Sequence, residues 1–184
     1  MSGLPRSEVI LILGGVRSGK SRFAERMART SRLPVTYIAT ALAGDDEMRA
    51  RIDAHRQRRP TDWRLIEEPR RLAATLSEVC ADGRCVLVEC LTLWLTNLLC
   101  ADDAAMLDRE LSALRELAPK LLGQVVFVGN EVNMGVIPMD ALSRHYCDLA
   151  GNLHQALAAH CDRVILTVAG LPLVVKGAPL SSQL

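Results

Sequence analysis

The amino-acid sequence predicts an α/β fold, a mostly parallel central sheet with helices on both faces. Three observations carry this. Short apolar runs of strand length alternate with longer segments of helical period. The first run opens into a glycine loop and a helix, through Gly14, Gly15, Val16, Arg17, Ser18, Gly19, Lys20 and Ser21, which fits G-x-x-x-x-G-K-[ST]. Polar residues fall just after the apolar runs, at 14–21, 40, 67, 89 and 130–131, where ligands collect in open α/β sheets.

The elements follow in order. Residues 1–8 are polar and read as a loose leader; the apolar run behind them is too short for a signal peptide or a membrane span. Residues 9–13 read as a buried parallel strand. The next helix carries Phe23, Ala24, Met27 and Ala28 on one face and closes before Pro34. Residues 35–39 read as the second strand and 40–44 as a loop. Residues 45–59 read as a helix, acidic at its start and stopped by Pro60. Residues 63–66 read as a short strand, 70–80 as a helix, and 81–83 as a turn. Residues 85–88 form a strand that ends in Glu89, expected to neighbour the phosphate-loop strand. Residues 91–100 and 104–122 read as helices, 125–128 as a strand, 129–131 as a polar loop, and 138–160 as a helix interrupted near Gly151. Residues 164–168 and 173–175 flank Gly170 as two strands, so one edge is expected to be antiparallel.

Bulk composition narrows the function. A length of 184 residues predicts one domain with a real core, and 49% apolar with 23% charged residues is a globular composition. A net charge of +1 argues against nucleic acid as a bulk electrostatic partner, and the scattered aromatic residues offer no base-stacking platform. Six cysteines show no C-x-x-C spacing and, without a secretory signal, read as reduced thiols of a cytoplasmic protein.

The glycine loop predicts a nucleoside-triphosphate site. Its glycines bring backbone N–H groups close to phosphate oxygens, and the helix N-terminus behind it adds unpaired donors and partial positive charge. Lys20 is expected to reach the β- and γ-phosphates, and the Ser21 hydroxyl to sit on Mg²⁺. Glu89 stands where a strand-end acid would hold Mg²⁺ or its waters, or bind the nucleotide sugar; the lesser alternative is a helix-start acid before Leu91. On the helix over 45–59, Arg51, His55 and Arg58 or Arg59 share one face, with Met48 and Ile52 at its edge. By pattern this is a basic, solvated face. The same residues fit a neutral, nucleophilic imidazole flanked by cations that hold polyphosphate. His145, His154 and His160 have no metal-ligand spacing and read as ordinary surface or core histidines.

Longer motifs resemble one family. Gly14-Gly15-Val16-Arg17-Ser18-Gly19-Lys20-Ser21 is similar to its G-G-x-R-S-G-K-S, and Tyr37-Ile38-Ala39-Thr40-Ala41 to its Y-I-A-T-[AS]. Asp46, Glu47 and Met48 with Arg51, Ile52, His55, Arg59, Pro60, Trp63 and Glu67 follow D-x-E-M-x-x-R-I-x-x-H-x-x-x-R-P-x-x-W-x-x-x-E, a long irregular pattern. Glu89-Cys90-Leu91-Thr92-Leu93-Trp94 with Asn97 resembles [DE]-C-L-T-x-W-x-x-N. Asn130-Glu131-Val132 with Gly135-Val136-Ile137-Pro138, and Gly170-Leu171-Pro172, resemble N-E-V-G-x-G-[IV]-[VI]-P and G-[LI]-P. From 9 to 176 the chain resembles the bifunctional adenosylcobinamide kinase / adenosylcobinamide-phosphate guanylyltransferases of cobalamin biosynthesis. It departs from them at Asn133 (usually Gly), Cys147 (usually Arg) and His154 (usually Asn), in a segment that resembles the family's subunit-contact and corrinoid-side regions.

The resemblance implies a RecA-like P-loop NTPase fold and a homo-oligomer, a trimer. It implies phosphorylation of adenosylcobinamide by ATP or GTP, then transfer of GMP from GTP through a guanylyl-histidine to the phosphorylated product, giving adenosylcobinamide-GDP. His55 takes the histidine's place. Nucleotide-binding positions fall on Gly14 to Ser21, on Ala39, Thr40 and Ala41, on Arg56, Gln57, Arg58 and Arg59, and on Glu67 and Glu89; Ser21 and Glu89 fall at the metal. One phosphate loop is then expected to serve both reactions. The competing readings are a P-loop protein that senses a nucleotide and transfers nothing, and a kinase without guanylyl transfer.

Overall fold

The computed structural model describes residues 7–180, the side chain of residue 51 excepted. The elements are β1 (Glu8–Gly14), α1 (Lys20–Thr30), β2 (Val35–Ala39), α2 (Asp46–Arg58), β3 (Arg64–Glu67), α3 (Leu72–Val79), β4 (Cys85–Glu89), α4 (Leu91–Leu99), α5 (Ala104–Leu117) with a 3₁₀ turn at Ala118–Lys120, β5 (Gln124–Asn130), α6 (Ala141–His160), β6 (Arg163–Val168) and β7 (Leu171–Lys176). Among the described residues, seven strands form one sheet in the order β3-β2-β4-β5-β1-β6-β7. Only the β6–β7 pair is antiparallel.

Alternation along the strands splits the core in two. Leu11, Leu13, Val86, Val88, Val125 and Phe127 face one side and pack with residues of α3, α4, α5 and α6. Ile10, Ile12, Leu87, Val126 and Val128 face the other and pack on Phe23, Ala24, Met27 and Ala28 of α1 and on Trp63. Both faces of the central strands are thus covered, which is why their sequences are continuous apolar runs. Asp45, Asp103 and Asp140 cap α2, α5 and α6 by accepting the N–H groups of Met48, Met106 and Ser143. No side chain caps α1, whose N-cap is the left-handed Gly19.

Several expectations change. Residues 1–6 of the leader lie outside the described residues, but Glu8 belongs to β1 and its carboxylate meets Arg163 at 2.7 Å. Strand β4 does not neighbour β1, because β5 lies between them. Asn130 continues β5 rather than opening a loop, paired in register with Gly14. The helix expected over 104–122 gives way to a 3₁₀ turn at Pro119, which lacks an N–H for the α-helical ladder. Helix α6 starts at Ala141, behind its Asp140 cap, and passes through Gly151 without a break. A Cβ at Gly151 would come 2.8 Å from the Asn133 side-chain nitrogen, so this glycine serves packing rather than a kink.

Helix α2 is the exception to the packed core. None of its described side chains is buried; Met48, Ile52, His55 and Arg58, spaced along one face, are half-covered. Among the described residues no helix is long and apolar enough to cross a membrane.

Candidate active site

The phosphate loop joins β1 to α1 and is built by close backbone approach. A Cβ at Gly14 would strike the Ser18 hydroxyl and come within 2.6 Å of the Thr167 carbonyl. Gly19 has φ of +95°, open to glycine without strain, and the turn between β6 and β7 packs against it, with Gly170 N–H donating to Ser18 C=O at 2.8 Å. Gly15, Val16 and Arg17 are exposed at the loop's crown. The Lys20 side chain is buried and donates to Gly15 C=O at 3.2 Å; burial draws its pKa down. The Ser18 hydroxyl oxygen is buried without a partner. An uncapped helix start and a lysine folded back over the loop suit an anion.

Glu89, at the end of β4, sits two strands away from β1, yet the Ser21 hydroxyl donates to its Oε1 at 2.7 Å. Burial pushes the Glu89 carboxyl up to about 7, opposed by the Ser21 hydrogen bond and the Lys20 charge. Its Oε2 is buried and unpaired. A hydroxyl beside a buried carboxylate with an orphaned oxygen suits a hard cation that takes its remaining ligands from waters and phosphate oxygens, so the pair fits Mg²⁺.

Three strand ends lie side by side, Glu67 opposite Ala39 and Ala39 opposite Glu89. Ala41 is half-buried just beyond. Thr40 is fully buried, and its hydroxyl donates to Cys90 C=O at 2.7 Å while accepting Cys90 N–H at 2.8 Å. Asn97 donates to the carbonyls of Thr40 and Pro69, the Thr92 hydroxyl accepts Asn130 N–H, and the Trp94 indole donates to Arg70 C=O. The residues after Glu89 therefore hold together the carboxyl ends of β2, β4 and β5, the rim of the site.

Helix α2 brings the basic residues to this rim. His55 is half-buried and its Nδ1 is buried without a partner. Burial lowers its pKa to about 4, aided by the nearby charges of Arg58 and then Lys20. The Lys20 charge of the phosphate loop thus acts on the imidazole. Arg58 reaches Glu25 of α1 at 3.5 Å, Arg59 lies 5.2 Å over the Tyr37 ring, and Arg56 meets Glu67 at 3.7 Å. Gln57 faces solvent, and the side chain of Arg51 lies outside the described set. Sequence reasoning passed over Glu25, whose signal was its i, i+4 spacing from Ser21 on α1.

The other histidines separate. His145 and His160 are exposed, whereas His154 is buried with its Nε2 3.1 Å from where a Cβ on Gly129 would sit. Burial lowers the His154 pKa, against the Glu131 charge. Asn133 donates its side-chain amide to Cys147 C=O and its N–H to the Glu131 carboxylate, so the three departures from the family pattern cluster beside β5. A cleft of about 550 Å³ opens there between residues 132–138 and α6. Its rim carries the exposed apolar Val136 and Ile137.

Comparison with known proteins gives the family. The family model for cobinamide kinase / cobinamide phosphate guanyltransferase matches residues 10–175. The bifunctional adenosylcobalamin biosynthesis protein CobP of Pseudomonas aeruginosa is 59% identical over 170 residues, covering 92% of this chain and 98% of the relative. The bifunctional protein CobU of Salmonella typhimurium is 41% identical over 181 residues, covering 91% and 99%. Among solved structures, the type III secretion ATPase EscN of enteropathogenic E. coli superposes with a TM-score of 0.55 at 13% identity, over 86% of this chain and 41% of that one, a likeness of P-loop fold alone. The chain belongs to the cobinamide kinase / cobinamide phosphate guanyltransferase family.

Proposed function

We propose that the chain phosphorylates adenosylcobinamide with ATP or GTP and then carries GMP from GTP on His55 to the phosphorylated product, yielding adenosylcobinamide-GDP. Family membership supports both activities; the carrier is our assignment. The observation behind it is the state of His55, an imidazole kept neutral, with an unpartnered ring nitrogen, in the electrostatic field of the phosphate-loop lysine.

In the first reaction the loop amides and Lys20 hold the triphosphate, and the acceptor hydroxyl attacks the γ-phosphorus, losing its proton to solvent as the bond to the bridging oxygen breaks and the nucleoside diphosphate leaves. In the second, a neutral nitrogen of His55 attacks the α-phosphorus of GTP. The bond to pyrophosphate breaks, and the other ring nitrogen releases its proton to solvent, leaving a phosphoramidate. Lys20, Arg58 and Arg59 balance the charge on the departing pyrophosphate. A phosphate oxygen of adenosylcobinamide phosphate then attacks the GMP phosphorus, the P–N bond breaks, and His55 is restored. Ser21 and Glu89 would hold Mg²⁺, which would neutralise phosphate charge when bound. Ala39, Thr40, Ala41, Arg56, Gln57 and Glu67 line the nucleotide side. We read the chain as one catalytic domain that assembles as a trimer; the exposed apolar Leu171, Leu173 and Val175 of edge strand β7 support an interface. The six unpaired cysteines suit the cytoplasm.

A pulse–chase tests the sequence of events. Enzyme exposed to α-labelled GTP should retain label after GTP is removed, and adenosylcobinamide phosphate should then discharge it into corrinoid. A label that the acceptor does not discharge contradicts the carrier role.

Two further results are expected. Glu89→Gln keeps the shape and removes the charge, so the Mg²⁺ requirement should rise and both activities fall about tenfold to a hundredfold. Unchanged metal dependence overturns that assignment. The pH profile follows from His55. Its lowered pKa keeps the imidazole neutral as pH falls through the ordinary histidine value of about 6.5, so at Mg²⁺ high enough to hold Glu89 ionised the labelling rate per GTP, in free enzyme, should hold to about pH 5.5 and fall towards 4. An acid limb near 6.5 that raising Mg²⁺ does not shift contradicts a desolvated His55.

A further inference from the structure

We propose that Glu25 is a positioning residue for guanylyl transfer, holding the end of α2 through Arg58 and with it the turn that carries His55. The inference rests on His55 as the GMP carrier.

A single face of α1 does three jobs, one per turn. Ser21 bonds Glu89 at 2.7 Å; Glu25, four residues on, pairs with Arg58 at 3.5 Å; Arg29, four further, donates to Arg58 C=O at 2.8 Å. Arg29 also lies 5.9 Å over the Trp63 ring. The Glu25 side chain is 8% exposed, while that of Arg58 is 34% exposed. A carboxylate buried beside the core-facing residues of α1 requires a partner, and among the described residues Arg58 supplies the cation.

The contact matters because of what α2 lacks. None of its described side chains is buried, so apolar packing fixes its position weakly. Arg58 ends the helix one turn after His55. Glu25 and Arg29 grip that last residue by its side chain and by its carbonyl, and the imidazole is carried on the same turn. Glu25 therefore joins the helix that begins at Lys20 to the helix that bears the nucleophile. In-line attack on a bound α-phosphorus demands that alignment.

The test compares Glu25→Gln and Glu25→Asp with the wild type, in full-length enzyme with Mg²⁺. Three quantities are read: the rate of covalent labelling from α-labelled GTP, the GTP concentration for half-maximal labelling, and the rate of cobinamide phosphorylation. Glu25→Gln keeps the shape but loses the ion pair. Its labelling rate should fall about tenfold to a hundredfold, the scale expected when a reacting group is displaced by about 1 Å. Half-saturation by GTP and the phosphorylation rate should stay within about twofold. Glu25→Asp keeps the charge and should recover most of the labelling rate. Labelling of Glu25→Gln at the wild-type rate on His55 overturns this inference and leaves His55 as carrier. Equal loss of labelling and phosphorylation overturns it too, since Glu25 would then merely support α1. A wild-type label on a residue other than His55 overturns both readings.

Discussion

Replacing His55 with alanine should abolish the covalent GMP label and the guanylyltransferase while leaving cobinamide phosphorylation within about twofold of wild type. The expected loss is about a thousandfold or more, because deleting a covalent nucleophile leaves only the much slower direct reaction. The asymmetry follows from position. The phosphate loop is anchored by Gly14, Gly19 and the Thr167–Gly170 turn, none of which involves α2. Removing the imidazole from a helix without a buried described side chain therefore leaves the triphosphate site intact. His55→Asn, closer in size, separates loss of chemistry from loss of packing. His145→Ala and His160→Ala should keep the label, both residues being exposed. His154 is buried against Gly129, so its control is His154→Asn. Parallel measurement of labelling and phosphorylation checks the prediction, and a His55→Ala enzyme that still takes up GMP contradicts it.

Lys20→Ala should weaken both reactions together. The described residues contain one phosphate loop, and two triphosphate-consuming steps are assigned to it. Losing a preorganised cation at developing phosphate charge costs about 2–4 kcal/mol in the transition state, or roughly a hundredfold or more in rate. Lys20 is buried and donates to Gly15 C=O, so its loss also loosens the loop's crown. Lys20→Met retains much of the aliphatic stem and isolates the charge. Full guanylylation with a crippled kinase in either variant would mean a second nucleotide site.

Much of the fold was legible because the chain follows local rules. The apolar runs of β1, β4 and β5 read as buried parallel strands, and the alternation with helices gave the layers. The long irregular motif around His55 pointed to a family that composition and periodicity alone do not reach. What stayed hidden is non-local. Strand order decides that β5 separates β4 from β1, and no local pattern encodes it. Glu8 looked like leader because its partner, Arg163, lies at the other end of the chain. Gly151 looked like a helix break because its neighbour Asn133 comes from another segment. Thr92 and Asn97 belonged to a recognised motif, but their work, tying the ends of β2 and β5 to α4, appears only when those ends are side by side. Glu25 was overlooked because a lone acid in an amphipathic helix is ordinarily a solvated one.

The most direct test is to locate the adduct. Wild-type enzyme is incubated with GTP and Mg²⁺, digested under alkaline conditions that preserve phosphoramidates, and its peptides sequenced by fragmentation. One GMP on the peptide that contains His55, localised to that imidazole and lost in mild acid, is the predicted result. GMP on any other side chain, or an unmodified His55 at saturating GTP, contradicts the account.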